Sequence, residues 1–290
     1  MGLNVASVAK ALQEHLYDYI GSAHDSDDLN RALKYGVQRL QAATIGAMHV
    51  TCSDESEREI VESFQQWFVR DLLPDFKFTG RSPFRIANLG ARHEPGAVQL
   101  AEQHFTTPES RDSFKVLVVK INSHVSAEET VNGPVYGRMT RYDTSSFFCG
   151  ALHALLDGTD GHYLRELAAL FRAGGKDRVA LLRDASHVAT EYRALLAAAV
   201  NAGLQARRVL EEVQRFEPSS PTVFVILPCV TLNRHARDHE LLCAVHVADC
   251  RAKKPETKSW GLSDDPSSIR VRHEGGVLHL ENAKWAKENS

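Results

Sequence analysis

The stretch KVLVVKINSHV, residues 115–125, decides the fold. Its run of valine, leucine and isoleucine is typical of a β-strand, because branched side chains pack well on a pleated surface. The run is too apolar for a strand with one face in water. It therefore predicts a strand at the centre of a sheet that is covered on both faces.

Helices are predicted upstream of this strand. In the first 75 residues, apolar side chains recur at three- and four-residue steps in three segments, the last of which ends before Pro74. After Pro74 the pattern changes: PFRIANLG (83–90) predicts a strand, and residues 96–105 favour a helix.

Downstream, GPVYGRMTRYD (133–143) reads as a turn followed by a short strand or extended loop, and Thr144 to about Phe216 reads as a helical block. TVFVILPCVTLN (222–233) and HELLCAVHVADC (239–250) then predict a β-hairpin. SIRVRH and VLHLEN flank two glycines and predict a second, smaller hairpin.

These segments do not alternate as a βαβα series does. They predict an α+β fold: a mixed, mostly antiparallel sheet flanked by helices, with an N-terminal helical segment. Because the late hairpins must pair with the strands at 84–124 to bury their apolar faces, residues 1–290 are expected to form one composite domain. The alternative is a helical subdomain at 1–75 beside an α+β core at 76–290.

Composition excludes several protein classes. A net charge of -3 with no lysine or arginine stripe argues against nucleic-acid binding. No apolar run is long enough to span a bilayer, and the N-terminus lacks the features of a secretory signal. Five scattered cysteines argue against a disulfide framework. We therefore expect a cytoplasmic protein with reduced thiols and no membrane or nucleic-acid partner.

RYDTSSFFCGALHALLDG (141–158) carries the first candidate catalytic residues. With Thr144 or Ser145 as N-cap, Cys149 would lie one turn inside a helix, whose dipole favours a thiolate. His153 follows Cys149 by four residues, on the same helical stripe. The alternative is a buried helix in which Cys149 is core and His153 bonds Asp157.

Residues four apart on one helical stripe lie too far from each other to act as the nucleophile and base of a triad. The members of a triad normally come from separate secondary-structure elements. If Cys149 is active, its partner is therefore expected from another element, such as His124 or His246.

Two short segments resemble the metal-binding segments of β-class carbonic anhydrases. CGALHAL, from Cys149, is similar to the second of them, and CSDES, from Cys52, to the first, a Cys-x-Asp-x-Arg pattern. Ser146 stands where that family has a histidine, and Ser56 where it has an arginine. Because so few residues match, we interpret the resemblance as coincidental and assign no family.

Polar residues at predicted strand ends form a second group. The ligand-binding candidates are Asn122 and Asn233, and His124 is a third catalytic candidate. His235 and His239, with His124 and Asp238, could bind a divalent metal, since imidazole and carboxylate are its usual ligands. The alternative is a solvated hairpin tip, and no other cofactor is predicted.

A third candidate is the loop that leads into 143–146. Arg138 and Arg141 carry planar donors suited to carboxylate or phosphate, and Thr144 and Ser145 would add backbone N–H groups at a helix start. The alternative is an ordinary connection with surface arginines.

The sequence leaves three functions open. One is an enzyme, a hydrolase or transferase, that acts on a small anion in a pocket of loop 133–146 and the strand ends near 122–124 and 233–235. The others are a non-catalytic scaffold and a ligand-sensing domain. Long helices favour self-association as a homo-oligomer in each case.

Overall fold

A computed structural model describes residues 4–53, 57–72, 82–107, 113–130, 133–141, 144–147, 149–159, 161, 164–184, 192–234, 237–252, 254–274 and 277–282. At 129, 133–134, 138–141 and 144–147 it describes the backbone alone. Across these residues, no helix combines the length and the apolar character needed to cross a membrane.

The helices are α1 (Val5–Leu16), α2 (Ser26–Gln38), α3 (Arg58–Gln66), α4 (Ala97–His104), α5 (Gly150–Asp157), α6 (Arg165–Phe171), α7 (Arg178–Arg183) and α8 (Arg193–Val213). A π-helical turn, Trp67–Leu72, continues α3. The strands are β1 (Ala23–Asp25), β2 (Thr44–Thr51), β3 (Phe84–Ala87), β4 (Lys115–Thr130), β5 (Gly133–Tyr136), β6 (Arg138–Arg141), β7 (Thr144–Phe147), β8 (Thr222–Asn233), β9 (His239–Leu242), β10 (Ala244–Asp249), β11 (Glu256–Gly261), β12 (Ile269–Glu274) and β13 (Val277–Asn282).

Strand β4 lies at the centre of the large sheet, which runs β1-β9-β8-β4-β2-β3. It pairs in parallel with β2 on one side and with β8 on the other. β3 extends this parallel centre by pairing with β2. The predicted central position of 115–125 is therefore confirmed, and the parallel direction of its neighbours is a feature that the sequence did not predict.

Antiparallel strands lie around this centre. β9 and β10 both pair with β8, which confirms the first predicted hairpin, and β11 pairs with β10. β12 and β13 form the second hairpin as a separate two-stranded sheet. The expected mixed sheet flanked by helices, with an N-terminal helix, is confirmed.

Two local predictions were wrong. Residues 1–75 are not helical throughout, because β1 and β2 lie among them. Strand β2 is buried along its whole length, so it lacks the alternation of polar and apolar residues that marks a half-exposed strand. Thr144 and Ser145 do not cap a helix: they belong to β7, which pairs with β6, and α5 begins only at Gly150.

Helices cover both faces of the sheet. Asn201 of α8 bonds Ser123 of β4, whereas Asn30 of α2 bonds Lys120 of the same strand. Since alternate residues of a strand point to opposite faces, α2 and α8 lie on opposite sides of the sheet. Lys120, Asn122 and His124 of β4 share the face beneath α2, because they are two residues apart along the strand.

Gly46 in β2 allows α4 to pack closely on the sheet. A Cβ atom at this position would lie 2.5 Å from the Phe105 ring, which is fully buried. We expect Gly46→Ala to lower the free energy of unfolding by about 1–3 kcal/mol, because the overlap forces the core to shift. Urea unfolding measures the loss. Gly203→Ala is the control. A Cβ atom at Gly203 would meet nothing closer than 3.6 Å, and alanine is favoured over glycine in a helix. Equal losses of stability in both variants would refute the packing argument.

Candidate metal site

The candidate site forms where β2 ends beside β4, which continues beyond it to Thr130. Thr51, the last residue of β2, is in register with Asn122 of β4. Cys52 follows Thr51 directly, and His124 lies two residues beyond Asn122. The carboxyl ends of parallel strands are where ligand sites form in sheets of this kind. The register therefore brings Cys52 and His124 to the same edge.

Cys149 comes to this edge from another element, as the residue that precedes α5. Its Sγ lies 3.7 Å from Sγ of Cys52. One ligand atom from each of Cys52, His124 and Cys149 lies within 4.8 Å of the other two, and all three residues are buried. We call these three residues the Cys-His-Cys cluster.

The cluster has the donors and spacing of a zinc site. Thiolate and imidazole are ligands that zinc prefers, and catalytic zinc sites often have three protein ligands and one open position. With Zn–S bonds of about 2.3 Å, tetrahedral geometry places two sulfurs about 3.8 Å apart. The observed 3.7 Å matches that spacing.

Without a cation the Cys149 thiol is held in its neutral form. The hydrogen bond with Cys52, followed by burial, raises the pKa of the Cys149 thiol well above its usual range. A thiol that coordinates a metal is deprotonated, so a bound ion would reverse this preference. The same environment disfavours a free Cys149 nucleophile at neutral pH.

His124 is oriented by a chain of polar side chains. Its Nδ1 lies 3.2 Å from Oδ1 of Asn233, whose Nδ2 donates to Asp238 at 3.3 Å. Asp238 also accepts the backbone N–H of Arg234. An Nδ1–H donated to Asn233 leaves the lone pair on Nε2, the form that a metal ligand needs. Asn233 and Asp238 are therefore positioning residues for His124.

Glu57 is a buried carboxyl beside the cluster. Both of its oxygens are buried without a hydrogen-bond partner. Burial raises the pKa of Glu57 to about 8, an effect opposed by the charge of His124 and reinforced by Cys52, Asp238 and Glu240. Its electrostatic neighbours therefore include two members of the cluster.

A buried polar row lies along the same face of β4 as His124. Lys120 donates to Glu240 of β9 at 2.6 Å, and Asn122 donates to the same carboxylate at 2.6 Å. Oδ1 of Asn122 also accepts a hydrogen bond from Nε2 of His49 at 2.9 Å. Burial, followed by the charge of Lys120, lowers the pKa of His49 to about 3. Asn122 therefore supports the interior of the site through side-chain bonds.

The remaining histidine candidates lie elsewhere. His153 pairs with Asp157 at 2.8 Å on the partly exposed side of α5, as the structural alternative predicted. His239 lies in β9 and does not belong to the Cys-His-Cys cluster. His235 is outside the described residues, so a metal site at His235 and His239 stays a prediction.

Arg138 and Arg141 begin and end β6, and Thr144 and Ser145 pair with its far end from β7. β6 meets β4 at Ala127, three residues beyond His124. The backbone therefore brings this hairpin to the end of β4 that follows the cluster. The anion-binding role of these four residues stays a prediction.

Sequence reasoning named His124 and Cys149 as candidates but missed Cys52 and Glu57. The available signal was the resemblance of the segments at Cys52 and Cys149 to β-class carbonic anhydrases, which matches too few residues to assign a family from the sequence. The structure brings those two cysteines together and adds an imidazole from β4.

Comparison with solved structures shows a shared fold. PtLCIB4, a homolog of the limiting CO2-inducible protein LCIB, matches with a TM-score of 0.59 and 13% identity over 88% of this chain and 99% of its own. LCIB itself matches with a TM-score of 0.50 and 13% identity over 83% and 98%. The β-carbonic anhydrase CcaA gives a TM-score of 0.32 at 14% identity over 76% of this chain and 82% of its own. No protein-family model and no curated protein matches the sequence.

Proposed function

We propose that this protein is a zinc enzyme that interconverts CO2 and bicarbonate. The observation that carries the proposal is the convergence of Cys52, His124 and Cys149 within 4.8 Å in a buried site. Three protein ligands leave one coordination position for water, as in catalytic rather than structural zinc sites.

Zinc bound there would lower the pKa of a coordinated water to about 7 and so supply a nucleophile at neutral pH. The chain's own residues hold and shape the site. Cys52 and Cys149 provide the thiolates, and His124 provides the imidazole. Asn233 and Asp238 fix the ring of His124, and such outer partners commonly contribute about 10–100-fold to metal affinity or activity.

Three features favour CO2 as the substrate. The two cysteines lie in the segments that resemble β-class carbonic anhydrases. Cys52 and Cys149 belong to a buried apolar cluster that also contains Ala151 and Leu152, and apolar surroundings suit a small neutral molecule better than a bulky polar one. The fold is shared with LCIB proteins, described as inducible by limiting CO2.

The hairpin of β6 and β7 is a candidate for handling the anionic product. We propose that Arg138 and Arg141 bind bicarbonate, with Thr144 and Ser145 beside them, because guanidinium groups bind planar oxyanions by paired hydrogen bonds. This keeps the anion pocket predicted from the sequence and gives it a specific ligand.

Protein purified without a histidine tag is expected to contain about one zinc ion per chain. Chelation should abolish CO2 hydration, measured by stopped-flow with a pH indicator, and added zinc should restore it. The physical reason is that thiols and imidazole alone provide no nucleophilic water.

Two outcomes would contradict the proposal. Protein that binds no zinc after anaerobic reconstitution would remove the metal site. Stoichiometric zinc without faster CO2 hydration would make the zinc structural. A matched sample with Glu62→Gln, an exposed substitution on α3, controls for handling.

A further inference from the structure

Cys52 and Cys149 are neighbouring thiols as well as candidate metal ligands. Their Sγ atoms lie 3.7 Å apart. A disulfide bond joins two sulfurs at about 2.0 Å, so a total approach of about 1.7 Å would bring this pair within bonding distance. The other three cysteines, Cys229, Cys243 and Cys250, are also buried and free, but they lie outside the Cys-His-Cys cluster.

Both cysteines lie at the ends of regular elements and not inside them. Cys52 directly follows β2, and Cys149 is the residue before α5, with φ and ψ of -37° and 115°, outside the helical range. A Cβ atom at the adjacent Gly150 would meet nothing within 4 Å. The approach that a disulfide requires can therefore come from side-chain rotation and a small shift at these ends, without breaking a strand or a helix.

Burial restricts which oxidants can reach the pair. Cys52 and Cys149 are 2% and 1% exposed. Thiols buried to this extent are normally inert, because most oxidants have no access to them. A site that hydrates CO2 has to admit water and CO2, and hydrogen peroxide is a molecule of similar size. A small peroxide is therefore the class of oxidant that fits this pair.

We propose that Cys52 and Cys149 are a redox modification site, at which hydrogen peroxide joins the two sulfurs in a disulfide and so dismantles the metal site. The inference rests on the proposed function and adds a means of regulating it. The observation that carries it is the distance between the two sulfurs in a site that a molecule of the size of water has to enter.

Two steps account for the atoms and electrons. The thiolate of one cysteine attacks an oxygen of hydrogen peroxide, the O–O bond breaks, and a sulfenic acid and a hydroxide ion form. The thiolate of the other cysteine attacks the sulfenic sulfur, the S–O bond breaks, and the disulfide and a second hydroxide ion form. The two sulfurs together lose two electrons, which the two peroxide oxygens gain. Because the second sulfur is already 3.7 Å away, disulfide formation precedes further oxidation to sulfinic acid.

Disulfide formation leaves the cluster with a single ligand. Both thiolates are consumed, and only the imidazole of His124 remains of the three members. Zinc sites in proteins use three or four protein ligands, so one imidazole does not retain the ion. Oxidation should therefore release zinc, and a dithiol that regenerates the two thiols should allow zinc to bind again.

Titration of the full, zinc-loaded chain with hydrogen peroxide tests the switch. We expect every chain that forms the disulfide to release its zinc to a chromophoric chelator, and peptide mass mapping to find Cys52 joined to Cys149. CO2 hydration should fall in proportion to the zinc released, and dithiothreitol followed by zinc should restore both. Cys250→Ser removes a buried thiol outside the pair, so it should release zinc at the same peroxide dose as wild type.

Glutathione disulfide tests the limit on oxidant size. It also oxidises thiols but is much larger than hydrogen peroxide, so it should leave the zinc of the folded protein in place, because the pair is buried. The protein unfolded in urea, in which the thiols are accessible, should react with both oxidants. Equal zinc release by both oxidants from the folded protein would overturn the restriction to small oxidants.

Several results would overturn the switch and leave the zinc site intact. They are zinc that stays bound after the pair is oxidised, zinc that leaves while Cys52 and Cys149 carry separate sulfinic acids, and a disulfide from either residue to another cysteine. Reduced wild type that binds no zinc would overturn the proposed function. A disulfide between Cys52 and Cys149 in that metal-free protein after peroxide treatment would still support the modification site, and its absence would overturn both proposals.

Discussion

Replacing Cys149 by serine is expected to remove zinc from the protein, because a hydroxyl is a much weaker zinc ligand than a thiolate. Sγ of Cys149 lies 3.7 Å from Sγ of Cys52. The substitution therefore removes one of the three ligand atoms of the proposed zinc site. Since outer partners alone contribute about 10–100-fold, a lost ligand should lower zinc affinity more than about 100-fold. Competition with a chromophoric chelator measures the affinity, and CO2 hydration should fall to the uncatalysed rate.

Cys250→Ser is the matched control. Cys250 is another buried free thiol, but it lies outside the Cys-His-Cys cluster. The control should bind zinc like wild type, whereas Cys52→Ser should behave like Cys149→Ser. Wild-type zinc affinity in Cys149→Ser, or an equal loss in Cys250→Ser, would show that zinc binds elsewhere.

The fold was predictable where burial left a clear pattern. The apolar run at 115–125 predicted the central strand β4, and alternating segments around polar turns predicted the late hairpins. β2 was not predictable in this way, because Thr44–Thr51 is buried on both faces and shows no alternation. β2 pairs in parallel with β4, which lies about seventy residues further along the chain. A local sequence pattern carries no information about the register between segments so far apart.

Because the register between β2 and β4 could not be predicted, the sequence identified only His124 and Cys149 as candidates for this site. His124 and Cys149 stand out locally, one at a strand end and one in a dense polar and apolar segment. Cys52 becomes a partner only when β2 is placed beside β4 with Thr51 opposite Asn122. Glu57 was hidden because acidic residues before a helix are usually caps, and only the structure shows that this one makes no capping bond.

A single substitution in the interior ion pair of Lys120 and Glu240 should cost several kcal/mol of stability. Nζ of Lys120 lies 2.6 Å from Oε2 of Glu240, and both side chains are at most 1% exposed. Asn30 and the ring of Phe64 are further neighbours of the ammonium group. We expect Glu240→Gln to lower the free energy of unfolding by about 3–5 kcal/mol, because it leaves a buried ammonium without its counter-charge.

Urea unfolding measures this loss, which is a fifth or more of the stability of a typical domain of about 5–15 kcal/mol. The exposed pair of Arg58 and Glu62 is a matched control with nearly the same separation, 2.7 Å. Because water screens that pair, Glu62→Gln should cost less than about 1 kcal/mol. The separation of the charges is therefore nearly the same, and burial is the main difference between the two substitutions.

The double variant Lys120→Met with Glu240→Leu separates the cost of an unpaired charge from the value of the pair. Replacing both partners by apolar residues is expected to restore most of the lost stability, because no buried charge is left unpaired. Asn122 would lose one acceptor but keep its bond to Thr231. If the double variant is as unstable as Glu240→Gln, the pair is required by the fold beyond charge compensation. If Glu240→Gln costs no more than Glu62→Gln, the pair is not desolvated in solution.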